Sequence, residues 1–198
     1  MSCFESAASN APNPRLPEPE RVTPPWFGPP AGVLAGQSIQ QALVFRTDRA
    51  ILAIRQFDVY PTGIEFTVDL RVQPTDEAMF DMPWELKSRP GRAPVGEGTL
   101  PDEFLRLGFA FADGTSWTNF AHNFPDFDKE PTGPVVMGRG GGGGGDHWEM
   151  RYWMWPLPPT GDVVIYAAWP MFEIEEVSAV IDGTALRAAA ADAIDIWD

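Results

Sequence analysis

The sequence predicts an all-β protein, an antiparallel β-sandwich of about eight or nine strands with a proline-rich N-terminal arm and one C-terminal helix. Three observations carry this prediction. Apolar and polar residues alternate along several segments, which is the period of a half-buried strand. Glycine and proline turns separate these short segments. Hydrophobic residues make up 44% of the 198 residues and aromatic residues 12%, which is enough to fill one core. A closed barrel is the alternative architecture.

Residues 1–36 are predicted to form the arm, ahead of a sandwich domain over residues 37–198. The arm contains eight prolines, and each of them fixes its own φ and removes a backbone donor. Trp26 and Phe27 lie in its later part, where a solvated linker would seldom carry large apolar side chains. We therefore expect residues 22–36 to pack on the domain.

The clearest strand covers residues 64–72, where five apolar side chains alternate with polar ones and therefore share one face. The preceding turn, Tyr60–Gly63, provides a proline and a glycine, so residues 50–59 and 64–72 are predicted to form a hairpin. Asp113-Gly114 is a second hairpin signal. Further strands are predicted at residues 41–46, 104–111, 115–120, 134–137, 147–155, 162–169 and 174–181.

Only the end of the chain shows helical periodicity. After Asp182, apolar residues follow the i, i+3, i+4, i+7 spacing as far as Trp197, and Asp182 or Thr184 is suited to cap the first turn. The sequence therefore predicts one helix over residues 183–197 that docks on the sheets, with Trp197 as an apolar anchor. Residues 74–103, which hold several prolines and charges, are predicted to form a long connecting loop.

Charge and cysteine content argue against several classes of function. The chain has 28 acidic and 14 basic side chains, and its net charge of −14 at pH 7 repels nucleic-acid phosphates and anionic membrane surfaces. The single cysteine, Cys3, allows no intrachain disulfide. Neither an 18-residue apolar run nor a signal peptide is recognisable. We therefore expect a cytoplasmic protein that binds neither nucleic acid nor membrane.

Six consecutive glycines, Gly140–Gly145, are the most unusual feature of the sequence. A phosphate-binding loop would lead into a helix, usually with a lysine, but Asp146 and His147 follow the tract and open a strand. The tract is therefore predicted to be a flexible hairpin connector, in which exchange of two glycines for serine leaves folding intact. The remaining interpretation is contact with a partner, because glycine lets another backbone approach closely.

No cofactor is predicted, but five side chains form a candidate site for a divalent metal if two loops meet at one end of the sandwich. They are His122, Asp126, Asp128, Asp146 and His147. Loop carboxylates suit Ca²⁺, and two histidines with a carboxylate suit Zn²⁺ or Fe²⁺. Neither spacing matches a named motif. The segment around His122 is equally explained as a polar loop anchored by two phenylalanines.

Aromatic side chains occupy both faces of the strand predicted at residues 147–155. Trp153 and Trp155 lie opposite Trp148 and its neighbours, so something must cover this second face. The candidates are the arm, through Trp26 and Phe27, or a second protein chain for which these aromatics would be anchors. The arm is favoured. A ligand platform beside the proline-rich turn at residues 156–161 is a further interpretation of the same tryptophans.

Four motifs together resemble a family of short acidic actinobacterial proteins. They are YPTGIEF at residues 60–66, the glycine tract from Gly138 to Trp148, WPLPP at residues 155–159 and the pair Trp169-Pro170. The resemblance covers residues 24–198. It implies a bacterial, high-GC, cytoplasmic origin, and it assigns no activity and no site residue.

Catalytic motifs are missing from the sequence, which contains no G-x-S-x-G elbow and no cysteine–histidine pairing beyond Cys3. The leading hypothesis is a non-enzymatic cytosolic β-sandwich that acts through contacts with an unknown protein partner or by self-association. The alternative is a metal-dependent or small-ligand-binding sandwich that uses the loops around His122 and Asp146-His147.

Overall fold

The computed structural model of the protein describes residues 23–73, 100–120 and 125–197. These ranges contain twelve strands and one α-helix, α1 (Gly183–Ala190). The strands are β1 (Val33–Leu34), β2 (Gly36–Ser38), β3 (Ala42–Arg46), β4 (Ala50–Tyr60), β5 (Gly63–Val72), β6 (Arg106–Phe111), β7 (Ser116–Thr118), β8 (Val135–Gly144), β9 (His147–Trp155), β10 (Asp162–Trp169), β11 (Ile174–Asp182) and β12 (Ile194–Asp195).

Two antiparallel sheets form the body of the protein. One has six strands in the order β2-β4-β5-β9-β8, with β3 also paired to β4, and the other has four strands in the order β11-β10-β6-β7. A two-stranded ribbon, β1 with β12, completes the fold. The predicted all-β antiparallel sandwich with a helix near the C-terminus is confirmed. Within the described ranges, no helix has the length and apolar character needed to cross a bilayer.

The sheets pack against each other across a hydrophobic core, which the alternation of apolar and polar residues along β5 explains. Phe66 and Leu70 on one face of β5 are buried, and the Phe66 ring lies 5.5 Å from the Phe109 ring of β6 in the opposite sheet. Glu65 and Arg71 lie on the other face of β5. The sandwich therefore leaves one face of the six-stranded sheet outside the core, and this outer face carries the polar side chains.

The predicted C-terminal helix is shorter than expected. Its N-cap is correct, because the Asp182 carboxylate accepts hydrogen bonds from Thr184 and Ala185, but the helix ends at Ala190 and not at Trp197. Residues Ile194–Asp195 instead pair with β1. Ile194, one of the periodic apolar residues beyond Ala190, is thus part of the ribbon, and Trp197 is 83% exposed. Its predicted role as an apolar anchor of the helix is wrong.

The glycine tract is not a connector. Gly138–Gly144 form most of β8 and pair with β9 along their length, so the hairpin turn itself needs only Gly145 and Asp146. Close packing explains why glycine is required here. A Cβ on Gly141 would lie 2.2 Å from the carbonyl oxygen of Glu149, and Gly143 has φ +153°. The predicted strand at 134–137 is therefore the start of a ten-residue edge strand.

The other predicted strands occur at the expected places with small changes at their ends. The hairpin of β4 and β5 is present, and Gly114 adopts φ +85° in the turn before β7. Strand β6 begins at Arg106, two residues later than predicted, and β7 is limited to Ser116–Thr118. Most of the loop predicted over residues 74–103 lies outside the described residues, as does Cys3.

Candidate functional site

The later part of the arm lies on the outer face of the six-stranded sheet, over the aromatic end of β9. Trp153 is fully buried, and its Nε1 donates a hydrogen bond of 2.9 Å to the carbonyl oxygen of Pro25. Trp26 meets Trp155 edge to face, with ring centroids 5.8 Å apart. The Tyr60 ring packs 5.7 Å from the Trp153 ring. The arm therefore covers Trp153, as favoured from the sequence.

Two further contacts fix the arm. The Phe27 ring lies 5.2 Å from the Phe127 ring, and the Phe27 carbonyl oxygen accepts a 3.1 Å hydrogen bond from Arg139 Nη1 on β8. Arg139 Nε is also 3.7 Å from the Glu65 carboxylate on β5. The arm thus forms one wall beside the exposed part of the outer face.

The candidate metal residues do not all gather in one place. Asp126 contacts the arm, since its carbonyl oxygen accepts a hydrogen bond from Trp26 Nε1, and its carboxylate accepts one from the backbone of Asp128. Asp146 occupies the β8–β9 turn. His147, at the start of β9, belongs to a different group of potential ligands within the described ranges, with Asp69 and Glu149. His122 lies outside the described residues.

Asp69 is the centre of this group and is 6% exposed. Its carboxylate accepts hydrogen bonds from Arg55 Nε at 3.0 Å and Arg71 Nε at 3.1 Å, and His147 Nε2 lies 3.1 Å away. Arg55 Nη2 also donates to Glu149, whose carboxylate is 3.7 Å from His147 Nε2. The strands bring these side chains together because Asp69 pairs with Glu149, and Arg71 with His147, across β5 and β9.

The arginines determine the charge of Asp69. Burial alone would raise the pKa of this carboxyl, but the hydrogen bonds and positive charges of Arg71 and Arg55 outweigh burial and lower the pKa below its ordinary value. Asp69 is therefore ionised at neutral pH and already bonded to two guanidinium groups. One potential ligand atom from each of Asp69, His147 and Glu149 lies within 4.8 Å of the others. A cation bound by these atoms would lie beside the positive charges of Arg55 and Arg71, which oppose its binding.

A polar groove lies between the arm and this network of paired charges. It consists of two adjoining depressions of about 370 and 670 Å³, both open to solvent, which share Gln56, Glu65, Thr67 and Arg151. The first depression extends to residues 37–39, on and just after β2. The second extends to residues 139–142 of β8 and to Glu149. We call this feature the outer groove.

Two backbone features shape the outer groove. A β-bulge in β4 falls between Arg55 and Asp58, and within it Gln56 adopts φ +58°, a conformation that is uncommon for a residue with a Cβ. On the opposite side, Gly140–Gly142 lie beside Arg151 without any side chain. Strained backbone and exposed glycine are features that binding sites often share.

The tryptophans beside the proline-rich turn do not form an open platform. Trp148 and Trp169 are buried, and Trp155 packs against Trp26. A depression of about 150 Å³ remains where Trp155 meets prolines of the turn, including Pro156 and Pro158. It is less than a quarter of the larger depression in the outer groove, which makes the outer groove the principal candidate site.

Comparison with protein-family models, curated proteins and solved structures gives no match to this chain. The resemblance to the actinobacterial family therefore stays a prediction.

Proposed function

We propose that the protein is a non-enzymatic binding protein that acts through contact with another polypeptide, and that the outer groove is the contact surface. The observation that carries this proposal is the glycine floor of the groove. Gly140–Gly144 are exposed on strand β8, which pairs with β9 alone among the described strands. Because these residues have no side chains, the backbone of another chain can approach β8 closely.

The dimensions of the outer groove favour an extended segment over a compact ligand. The groove crosses the sheet from β2 to β8, which are separated by four strand spacings. At about 4.8 Å per spacing, this distance is about 19 Å, the length of about six residues in an extended chain. A compact small molecule would fill only one of the two depressions.

The lining of the outer groove also suits a peptide. Gln56 and Arg151 offer exposed side-chain donors, and Glu65 offers an acceptor, so the backbone amides of an extended segment would meet partners for both of their polar groups. The fully exposed side chain of Ile39 lies at the β2 end and provides an apolar contact. Polar groups beside one apolar contact are typical of surfaces that bind extended peptides.

The experiment is selection of random linear dodecapeptides displayed on phage against the full chain, with counter-selection on Gly142→Gln. A Cβ on Gly142 meets no atom within 4 Å, so the substitution should leave the fold intact while its side chain enters the groove. Gly144→Gln is the matched control, because Gly144 is equally open and does not line the groove. We expect peptides that bind the wild type and Gly144→Gln and lose at least tenfold in affinity for Gly142→Gln. Equal binding to all three proteins would refute the proposal.

The second candidate function is a metal-dependent or ligand-binding protein, and the observation in its favour is the group formed by Asp69, His147 and Glu149. We place it second because Arg55 bonds both carboxylates of the group. Elemental analysis of protein purified without chelator discriminates between the two functions. We expect no stoichiometric Zn²⁺, whereas one tightly held ion that is lost in the His147→Ala variant would favour the second function.

A further inference from the structure

We infer that the segment bound in the outer groove presents a carboxylate, an Asp or Glu side chain, and that Arg151 binds it. This inference rests on the proposed function and deepens it. Arg151 is exposed and lines both depressions of the groove. No side-chain hydrogen bond or ion pair joins its guanidinium to any residue in the described ranges, although the guanidinium groups of the neighbouring arginines on the outer face are all bonded.

None of the carboxylates that line the groove is bonded to the Arg151 guanidinium. Of the three carboxylates that line the groove, Glu65 faces Arg139 at 3.7 Å, Glu149 accepts a hydrogen bond from Arg55, and Asp58 accepts one of 3.4 Å from Gln37. Each of these carboxylates therefore has a partner other than Arg151. In a chain with a net charge of −14, an exposed and unpaired arginine at the centre of a groove indicates an anionic ligand group.

The same surroundings favour a carboxylate over a phosphate. A guanidinium fork donates two parallel hydrogen bonds to a carboxylate, so a singly charged group satisfies Arg151. A phosphate monoester would bring a charge of about −1.5 to −2 near Glu65 and Glu149, and the repulsion would offset much of the gain.

The position of Arg151 on the sheet leaves it open to such a ligand. It pairs with Thr67 on β5 and with Gly140 on β8. On the β8 side, Gly140–Gly142 carry no side chain that could cover the guanidinium. An extended segment lying over the glycine floor could therefore bring one of its side chains directly onto Arg151.

The test uses three acetylated and amidated pentapeptides, Thr-Val-X-Val-Thr, in which X is glutamate, glutamine or phosphoserine. Each is titrated into ¹⁵N-labelled protein at one salt concentration, and the Arg151 Nε–H signal is followed by NMR. We expect the glutamate peptide to bind about tenfold more tightly than the glutamine peptide, as one charge-assisted hydrogen-bonded pair would give. Arg151→Gln should abolish this preference. Arg46→Gln, which removes the same charge from an exposed position outside the groove, should preserve it.

The possible failures are distinguishable. Equal binding of the glutamate and glutamine peptides, a preference that survives Arg151→Gln, or tighter binding of the phosphoserine peptide would overturn the assignment of a carboxylate to Arg151. If peptide binding nevertheless remained sensitive to Gly142→Gln, the outer groove would stand as a peptide site with another specificity. Binding that ignores Gly142→Gln would contradict the proposed function itself.

Discussion

Replacing Gly141 and Gly143 together with alanine should destabilise the protein by about 2–3 kcal/mol. A Cβ at Gly141 would lie 2.2 Å from the Glu149 carbonyl oxygen, and one at Gly143 would lie 2.2 Å from that of His147. Both obstacles are backbone atoms of β9, which cannot move aside as a flexible side chain can. Gly143 also has φ +153°, a conformation that alanine rarely adopts. Urea denaturation of the variant and the wild type measures the difference.

The matched control is the pair Gly142→Ala and Gly144→Ala in one chain. These two positions have open space where a Cβ would lie, so the control should keep the stability of the wild type to within about 0.5 kcal/mol or gain slightly from a less flexible unfolded chain. Equal stability of the two double variants would show that the tract is a connector after all. The sequence predicts that folding tolerates the exchange of two glycines, and the space around each Cβ limits that prediction to Gly142 and Gly144 in this pair of variants.

Trp153→Ala should cost about 3–5 kcal/mol, the largest effect we expect from a single substitution. The side chain is fully buried between the sheet and the arm, and its removal deletes the hydrogen bond to Pro25 and the contact with the Tyr60 ring. The arm should then separate from the sheet and expose Trp155. Thermal unfolding, together with binding of a hydrophobic dye to the folded variant, measures both consequences.

Trp197→Ala is the control for the loss of a tryptophan as such. Its side chain is 83% exposed, so we expect a change in unfolding free energy below about 1 kcal/mol. Trp153→Phe separates packing from hydrogen bonding, since it keeps an aromatic ring and removes the donor to Pro25. If Trp153→Ala and Trp197→Ala unfolded at the same temperature, the arm would contribute nothing to the fold.

The sheets were predictable because alternation and turn signals are local properties of the chain. The hairpin of β4 and β5 and the strand β9 follow directly from the residues that form them. The end of α1 was not predictable in this way, since Ile194 keeps the helical spacing but pairs with Leu34 in the ribbon. The spacing of apolar residues shows which positions can be buried, but contacts with distant parts of the chain decide whether those residues lie in a helix or in a strand.

The candidate site was harder to predict from the sequence than the sheets were. His147 was singled out, but its partner Asp69 lies 78 positions away and becomes a neighbour only through the pairing of β5 with β9. A signal did exist, because Asp69 is a polar residue on the outward face of the clearest predicted strand. The prediction of a connector for the glycine tract was wrong because a run of glycines suggests flexibility. The hydrogen bonds that hold the tract as a strand against β9 are formed by backbone groups, which leave no pattern in the residue types.

The central claim is that the outer groove, with its glycine floor, binds an extended peptide. Backbone amide shifts of ¹⁵N-labelled protein, recorded during titration with one of the phage-selected peptides, test it most directly. We predict the largest shifts at Gln56, Thr67 and Gly140–Gly142, on both sides of Arg151, with smaller ones at residues 37–39. Shifts centred on Trp155 and the proline-rich turn, or on the ribbon of β1 and β12, with the groove amides unmoved, would contradict it.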